Sequence, residues 1–94
     1  MNMDELRGRI DAVDDELLRC FAERMDIAGD IARYKAEHGL PVLDERRERE
    51  KLYAVSEKAP EELQSYAVSL YALLFELSRS RQNRLLHKQS PLAE

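Results

Sequence analysis

Two cationic side chains interrupt an apolar stripe in the first, proline-free part of the chain. Arg24 falls seven residues after Leu17 and seven before Ile31, where the repeat predicts an apolar residue. Lys35 extends the same stripe, and eleven helical residues return to within roughly 20° of the starting direction, so Arg24 and Lys35 share a face about 16 Å apart. Because buried cations without nearby carboxylates are costly, this spacing predicts an anionic ligand with at least one carboxylate.

Uncharged polar side chains interrupt a second stripe further along the chain. Ser78 and Gln82 are four residues apart and continue the line through Leu70 and Leu74. Helical spacing therefore places a hydroxyl and an amide on a face that is otherwise apolar. Both groups can donate hydrogen bonds to a ligand without adding charge.

The candidate residues of the first helix also have ordinary structural interpretations. Arg7 can pair with Asp11 four residues on, and the pattern alone favours this interpretation. Arg24 can extend its guanidinium into solvent from the edge of the stripe. Lys35 lies in the last helical turn, where the helix dipole favours a cation. The lone Cys20 is expected to be a small core residue.

Ordinary interpretations exist for the later candidates as well. Arg47 and Glu48 belong to a run of charged residues that usually forms a solvated face, and Glu48 can pair with Lys51. Ser78 can bond back to a carbonyl of the preceding turn, and Gln82 can lie at the surface. Neither pair alone identifies a function.

The composition limits the classes of function. The chain has 94 residues and a net charge of −4, which argues against nucleic-acid and membrane-surface binding, so any cationic site must be local. The single cysteine forms no internal disulfide, and the acidic start lacks the features of a signal peptide, so we expect a cytoplasmic protein. No metal-ligand spacing or phosphate-binding glycine pattern is present, and we expect no metal and no cofactor.

The positioning elements are predicted to be three helices in one domain, with no sheet. Gly39 and Pro41 terminate the first helix, and Asp44 is placed to cap the second. The first helix, roughly 50 Å long, has an apolar stripe too long for the remaining residues to cover, so a partner subunit is expected. The predicted ranges within the domain 1–94 are helices at about 4–38, 45–58 and 61–87, and a loose tail at 89–94.

The ordered set of these residues resembles the small all-helical (type II) chorismate mutases from Leu6 to about Leu85. The resemblance rests on several stretches and their spacing rather than on one motif. They are Leu6-Arg7-Gly8-Arg9-Ile10-Asp11-Ala12-Val13-Asp14, Ala22-Glu23-Arg24, Ile31-Ala32-Arg33-Tyr34-Lys35, Pro41-Val42-Leu43-Asp44-Glu45-Arg46-Arg47-Glu48, and Glu76-Leu77-Ser78 with Gln82 four residues on.

The resemblance implies an intertwined homodimer of three-helix chains with two equivalent sites. Its implied substrate-binding residues in one chain are Arg24, Lys35, Asp44, Arg47, Glu48, Ser78 and Gln82. Arg7 would reach in from the other chain. Helix geometry supports a contribution from the other chain. Arg7 and Arg24 lie seventeen residues, or roughly 25 Å, apart along one helix, which is more than a small dicarboxylate can bridge.

The implied reaction is the intramolecular Claisen rearrangement of chorismate to prephenate, which needs neither a nucleophile nor a cofactor. The implied catalytic residues are Lys35 and Gln82, which would donate to the ether oxygen, and Arg7 and Arg24, which would hold the two carboxylates with help from Ser78.

The remaining implied residues act on the ring. Glu48 and the Asp44 region would bind the ring hydroxyl, and Arg47 would support the ring side and balance Glu48. Gln82 takes a place where another branch of the family has a glutamic acid, which implies less dependence on acidic pH.

The sequence is compatible with two other kinds of function. An isochorismate pyruvate lyase or an aminodeoxychorismate mutase would bind a similar ring dicarboxylate on the same scaffold. A non-catalytic helical dimerisation or regulatory module would use the same helices without chemistry. The inward-facing cations argue against a purely structural role.

Overall fold

The computed structural model describes residues 1–88, which form an all-α chain. Its elements are α1 (Met3–Glu37), α2 (Glu45–Lys58), a 3₁₀ turn (Glu61–Leu63) and α3 (Gln64–Lys88). The predicted all-helical class with three helices and no strand is confirmed for this part of the chain. None of these helices is long and apolar enough to cross a membrane. The predicted tail 89–94 lies outside the described residues.

The turn after α1 brings the chain back toward the pocket described below. His38 ends the helix, and Gly39 adopts a left-handed conformation with φ 64°. The amide of Leu40 donates to the carbonyl of Lys35 over 2.8 Å, the paired bonding of a Schellman motif. A residue with a Cβ is strained at this φ, so glycine sets the position of the turn.

The second helix begins where the sequence predicts its cap. The side chain of Asp44 accepts from the amide of Arg47 over 3.0 Å, and the acidic residues Glu45 and Glu48 lie in the first turn. The helix ends at Lys58, before Pro60. The cap therefore determines which way the first-turn side chains of α2 project.

The helix α3 packs against both α1 and α2. Few apolar residues are buried in the part of the chain that the structure describes: Ala28, Ala32, Val55 and Phe75. Small residues on α1 permit a close approach, because a Cβ placed on Gly29 would lie 3.0 Å from Leu85 Cδ1. The core of a single chain is thus thin.

No layer formed by residues 1–88 covers the N-terminal half of α1. Residues 1–20 are all exposed, including Leu6, Ile10, Val13 and Leu17 of the apolar stripe. Cys20 is exposed too, so the expectation of a core cysteine is wrong for the single chain. The accessible surface is 7703 Å², whereas a compact monomer of this mass exposes roughly 5,600 Å².

Candidate active site

A pocket of about 430 Å³ lies where the C-terminal half of α1, the start of α2 and the later turns of α3 meet. This volume is in the range of small-molecule sites. All seven residues that the resemblance assigns to one chain line it: Arg24, Lys35, Asp44, Arg47, Glu48, Ser78 and Gln82. The wall is completed by Lys51, Arg79 and the apolar residues Ile27, Ala28, Ile31, Val42 and Phe75.

The pocket is locally positive in an acidic chain. Five cationic and two acidic side chains line it, a formal excess of three positive charges, whereas the whole chain carries −4. An excess of cations in a concave, partly apolar wall attracts a small anion. The positive charge of this acidic chain is therefore concentrated locally at the pocket, as the sequence predicts for a cationic site.

Lys35 is held at the rim of the pocket by the loop that follows α1. Its Nζ donates to the carbonyl oxygen of Val42 over 2.7 Å, and its side chain is part-buried. An ammonium group has three donors, so two remain available to a ligand. The Gly39 turn makes this contact possible, because it returns the chain toward the end of α1.

Arg24 lies against the aromatic side chains of α3. Its guanidinium carbon is 5.9 Å from the ring centre of Tyr71 and 6.0 Å from that of Phe75, within cation–π range. No carboxylate among residues 1–88 forms an ion pair with it. The rings orient the cation and leave its donors free for an anion.

The start of α2 supplies the acidic part of the wall, and here the structure differs from expectation. Glu48 pairs with Arg79 of α3, not with Lys51 or Arg47. The reason is tertiary: α3 packs on α2 and brings Arg79 across. Helical spacing offered a signal, because Arg79 lies four residues after buried Phe75 and three before Gln82.

Ser78 and Gln82 form a hydrogen-bonded pair on α3. Gln82 is 4% exposed, and its Nε2 donates to Ser78 Oγ over 3.1 Å. Its Oε1 is buried without a partner among the described residues. A half-turn of the amide lets the Ser78 hydroxyl donate to Oε1 and frees Nε2 to donate elsewhere. The interpretation of Gln82 as a surface residue is wrong.

Arg7 does not lie in this pocket. It lies on the exposed first turns of α1, beside Met3, Leu6, Arg9, Ile10 and Val13. It makes no ion pair with Asp11 in the described chain.

Residues 1–88 contain no group of three or more His, Cys, Asp or Glu side chains arranged to hold a metal.

The all-helical scaffold and its cation-lined, hydrogen-bonding pocket are those of a protein suited to bind a small anion. Comparison with known proteins gives the family. The family model described as chorismate mutase type II matches residues 6–83, and the chain belongs to that family. No solved structure matches the chain significantly.

Three curated relatives share parts of the sequence. A chorismate mutase of Methanocaldococcus jannaschii is 40% identical over 45 residues, 48% of this chain and 46% of the relative. A T-protein of Haemophilus influenzae is 39% identical over 44 residues, 47% of this chain and 12% of the relative. A 4-amino-4-deoxychorismate mutase of Streptomyces venezuelae is 30% identical over 97 positions, 98% of this chain and 91% of the relative. The chain thus spans less than half the length of the first two.

Proposed function

We propose that this chain is a chorismate mutase, which rearranges chorismate to prephenate within a single domain formed by residues 1–94. The observation that carries the proposal is the pocket in which seven family-like residues meet under an excess of positive charge. Chorismate carries two carboxylates, an ether oxygen and a ring hydroxyl. The pocket offers complementary groups for one carboxylate, the ether oxygen and the ring hydroxyl, and the second carboxylate needs a residue from outside it.

The reaction is unimolecular, so the site acts by conformation and by charge. The ether C–O bond breaks as a C–C bond forms between the two ends of the same molecule, and no proton or electron leaves it. Cations that hold both carboxylates favour the compact, chair-like conformer. Negative charge grows on the ether oxygen in the transition state, and donors placed there lower the barrier.

Lys35 and Gln82 are the proposed donors to the ether oxygen. The ammonium of Lys35 has donors beyond the one given to Val42, and the Gln82 amide can present Nε2 once Ser78 donates to its oxygen. Gln82 is buried and Lys35 is part-buried, and reduced contact with solvent strengthens each interaction. Arg24 would bind one carboxylate, with Ser78 beside it.

The acidic side of the pocket would bind the ring. Glu48 accepts from the ring hydroxyl, next to the Asp44 cap. Arg47, exposed at the rim, supports the ring side. The charge balance of Glu48, which the resemblance assigned to Arg47, is supplied by Arg79.

The second carboxylate would be held by Arg7 of the partner subunit in a homodimer. The stripe Leu6, Ile10, Val13 and Leu17 is exposed, and by helical periodicity it continues onto the face that carries Arg24. A partner that covers the stripe therefore reaches the edge of the pocket.

A second copy of the chain has a matching surface for this stripe. Five exposed apolar side chains recur at three- and four-residue steps from the end of the 3₁₀ turn along α3: Leu63, Tyr66, Leu70, Leu73 and Leu77. In a two-fold dimer, each stripe can pack on the α3 face of the other chain. The surface in excess of a compact monomer exceeds the roughly 800 Å² per partner of a standard interface.

A charge placed in the stripe tests the dimer. Val13→Glu should convert dimers to monomers in sedimentation experiments, because it buries an unpaired carboxylate. Ala12→Glu adds the same charge on another side of α1 and should leave the dimer intact. A wild-type chain that is monomeric at micromolar concentration would contradict the proposal.

The activity is tested by assaying purified chain for loss of chorismate and formation of prephenate. The match to a 4-amino-4-deoxychorismate mutase makes 4-amino-4-deoxychorismate a second candidate substrate. Both this compound and isochorismate are therefore assayed in parallel with chorismate. Prephenate formation at the highest kcat/KM supports the proposal; faster turnover of another substrate assigns that activity instead. If the chain converts none of the three substrates and does not bind a bicyclic transition-state mimic in calorimetry, it is a non-catalytic dimerisation or regulatory module. The cytoplasmic location remains a prediction.

A further inference from the structure

One ion pair differs from the others in residues 1–88. Arg79 on α3 pairs with Glu48 on α2, and their side chains are only 29% and 25% exposed. The other five pairs join residues three or four apart on one helix, with side chains 55 to 86% exposed. Exposed local pairs contribute little to stability. The Arg79–Glu48 pair is the one that joins two helices at the wall of the pocket.

The pair occupies one carboxylate oxygen and leaves the other open. Arg79 Nη1 contacts Glu48 Oε2, and no described side chain donates to Oε1. A carboxylate can accept on both oxygens, so Oε1 stays available to a donor from a ligand. We propose that Arg79 is a positioning and specificity-determining residue: it aims Glu48 at the ring hydroxyl and excludes a cationic group from that position.

The positive charge of Arg79 discriminates between a hydroxyl and an amino group on the substrate ring. A lone Glu48 carboxylate would attract an ammonium group and repel a dianionic substrate. Paired with a guanidinium it is close to neutral, which suits a hydroxyl donor. An amino group in place of the hydroxyl is largely protonated near pH 7 and would meet a like charge at Arg79. This inference rests on the proposed function, because it assumes that Glu48 faces the ring substituent.

The neighbouring cations do not take this role. Arg47 and Lys51 line the same pocket, but both are on α2 with Glu48 and neither pairs with it in the described chain. Arg79 approaches from a different helix and is held by the packing of α3 on α2. Its removal therefore frees Glu48 even when Arg47 and Lys51 remain.

The test measures kcat/KM for chorismate and for 4-amino-4-deoxychorismate in four proteins. These are wild type, Arg79→Met, Arg79→Lys and the control Arg84→Met, whose arginine is exposed on α3 outside the pocket. Arg79→Met should lower kcat/KM for chorismate at least tenfold and shift the preference at least tenfold toward the amino substrate. Arg79→Lys, which keeps the charge, should retain the wild-type preference within about threefold. Arg84→Met should match wild type.

The preference between substrates separates a specificity role from a structural one. A loss of folding lowers both activities together and leaves their ratio unchanged. An unchanged ratio in folded Arg79→Met overturns the inference while chorismate turnover by wild type keeps the proposed function. Where Arg79→Met does not fold, Arg79→Gln removes the charge with a polar side chain, and an unchanged substrate preference in that folded variant overturns the inference. A wild type that converts neither substrate overturns both proposals.

Discussion

Lys35 donates from Nζ to the carbonyl oxygen of Val42 over 2.7 Å, across the turn that joins α1 to α2. The contact ties the ammonium group to the loop and limits its rotamers. An immobilised donor loses little entropy when it meets developing negative charge, which is the condition for selective stabilisation of a transition state.

Lys35→Ala should therefore lower kcat more than it weakens substrate binding. Loss of one donor to a developing oxyanion costs about 10²- to 10³-fold in kcat, and we expect a smaller change in KM. Steady-state kinetics on chorismate measure both. Lys58→Ala, at the exposed last turn of α2, is the matched control and should be near wild type. Normal turnover in Lys35→Ala would remove Lys35 from the mechanism.

Gln82→Glu should make the activity depend on acid. Only the protonated carboxyl can donate to the ether oxygen, so kcat/KM should fall as pH rises through the pKa of the introduced group. Wild type should show no such loss, because an amide does not titrate. Activities measured from pH 4 to 9 in both proteins check this. Parallel profiles would mean that Gln82 does not donate to the reacting oxygen.

Mixed dimers should reveal whether Arg7 acts across the subunit boundary. Arg7→Ala and Arg24→Ala chains should each be inactive alone. In a mixed dimer, the site that keeps its own Arg24 receives Arg7 from the other chain and is intact. Random exchange should therefore restore about a quarter of wild-type activity. Verified heterodimers without activity would show that Arg7 serves its own chain or none.

Gly29 should tolerate a larger side chain less well than Gly8. A Cβ at Gly29 lies 3.0 Å from Leu85 Cδ1, whereas one at Gly8 meets no described neighbour within 4 Å. Gly29→Val should destabilise the protein by about 1–3 kcal/mol through overpacking. Gly8→Val should change stability by less than about 0.5 kcal/mol. Urea unfolding at matched protein concentration measures the difference, and equal midpoints would contradict close packing of α1 on α3.

Much of the architecture follows from local signals. The Gly39 turn, the Asp44 cap and the apolar periodicity predicted the helices to within a residue or two, except that the third begins with a 3₁₀ turn at Glu61–Leu63. These signals work because capping and backbone preferences act over a few residues. The same periodicity placed Arg24 and Lys35 on one face before any contact was known.

The sequence by itself determined three helices and the shared faces of Arg24 with Lys35 and of Ser78 with Gln82, since both depend on local periodicity. Tertiary structure decided which faces meet: it brought Ser78 and Gln82 opposite Arg24 and Lys35, and it paired Glu48 with Arg79 instead of a neighbour on its own helix. Within residues 1–88 it also left positions 3–20 of α1 exposed, although the same apolar pattern runs through the partly buried second half of the helix. Periodicity indicates which face of a helix must be buried, but packing between residues distant in the chain selects the surface that covers it.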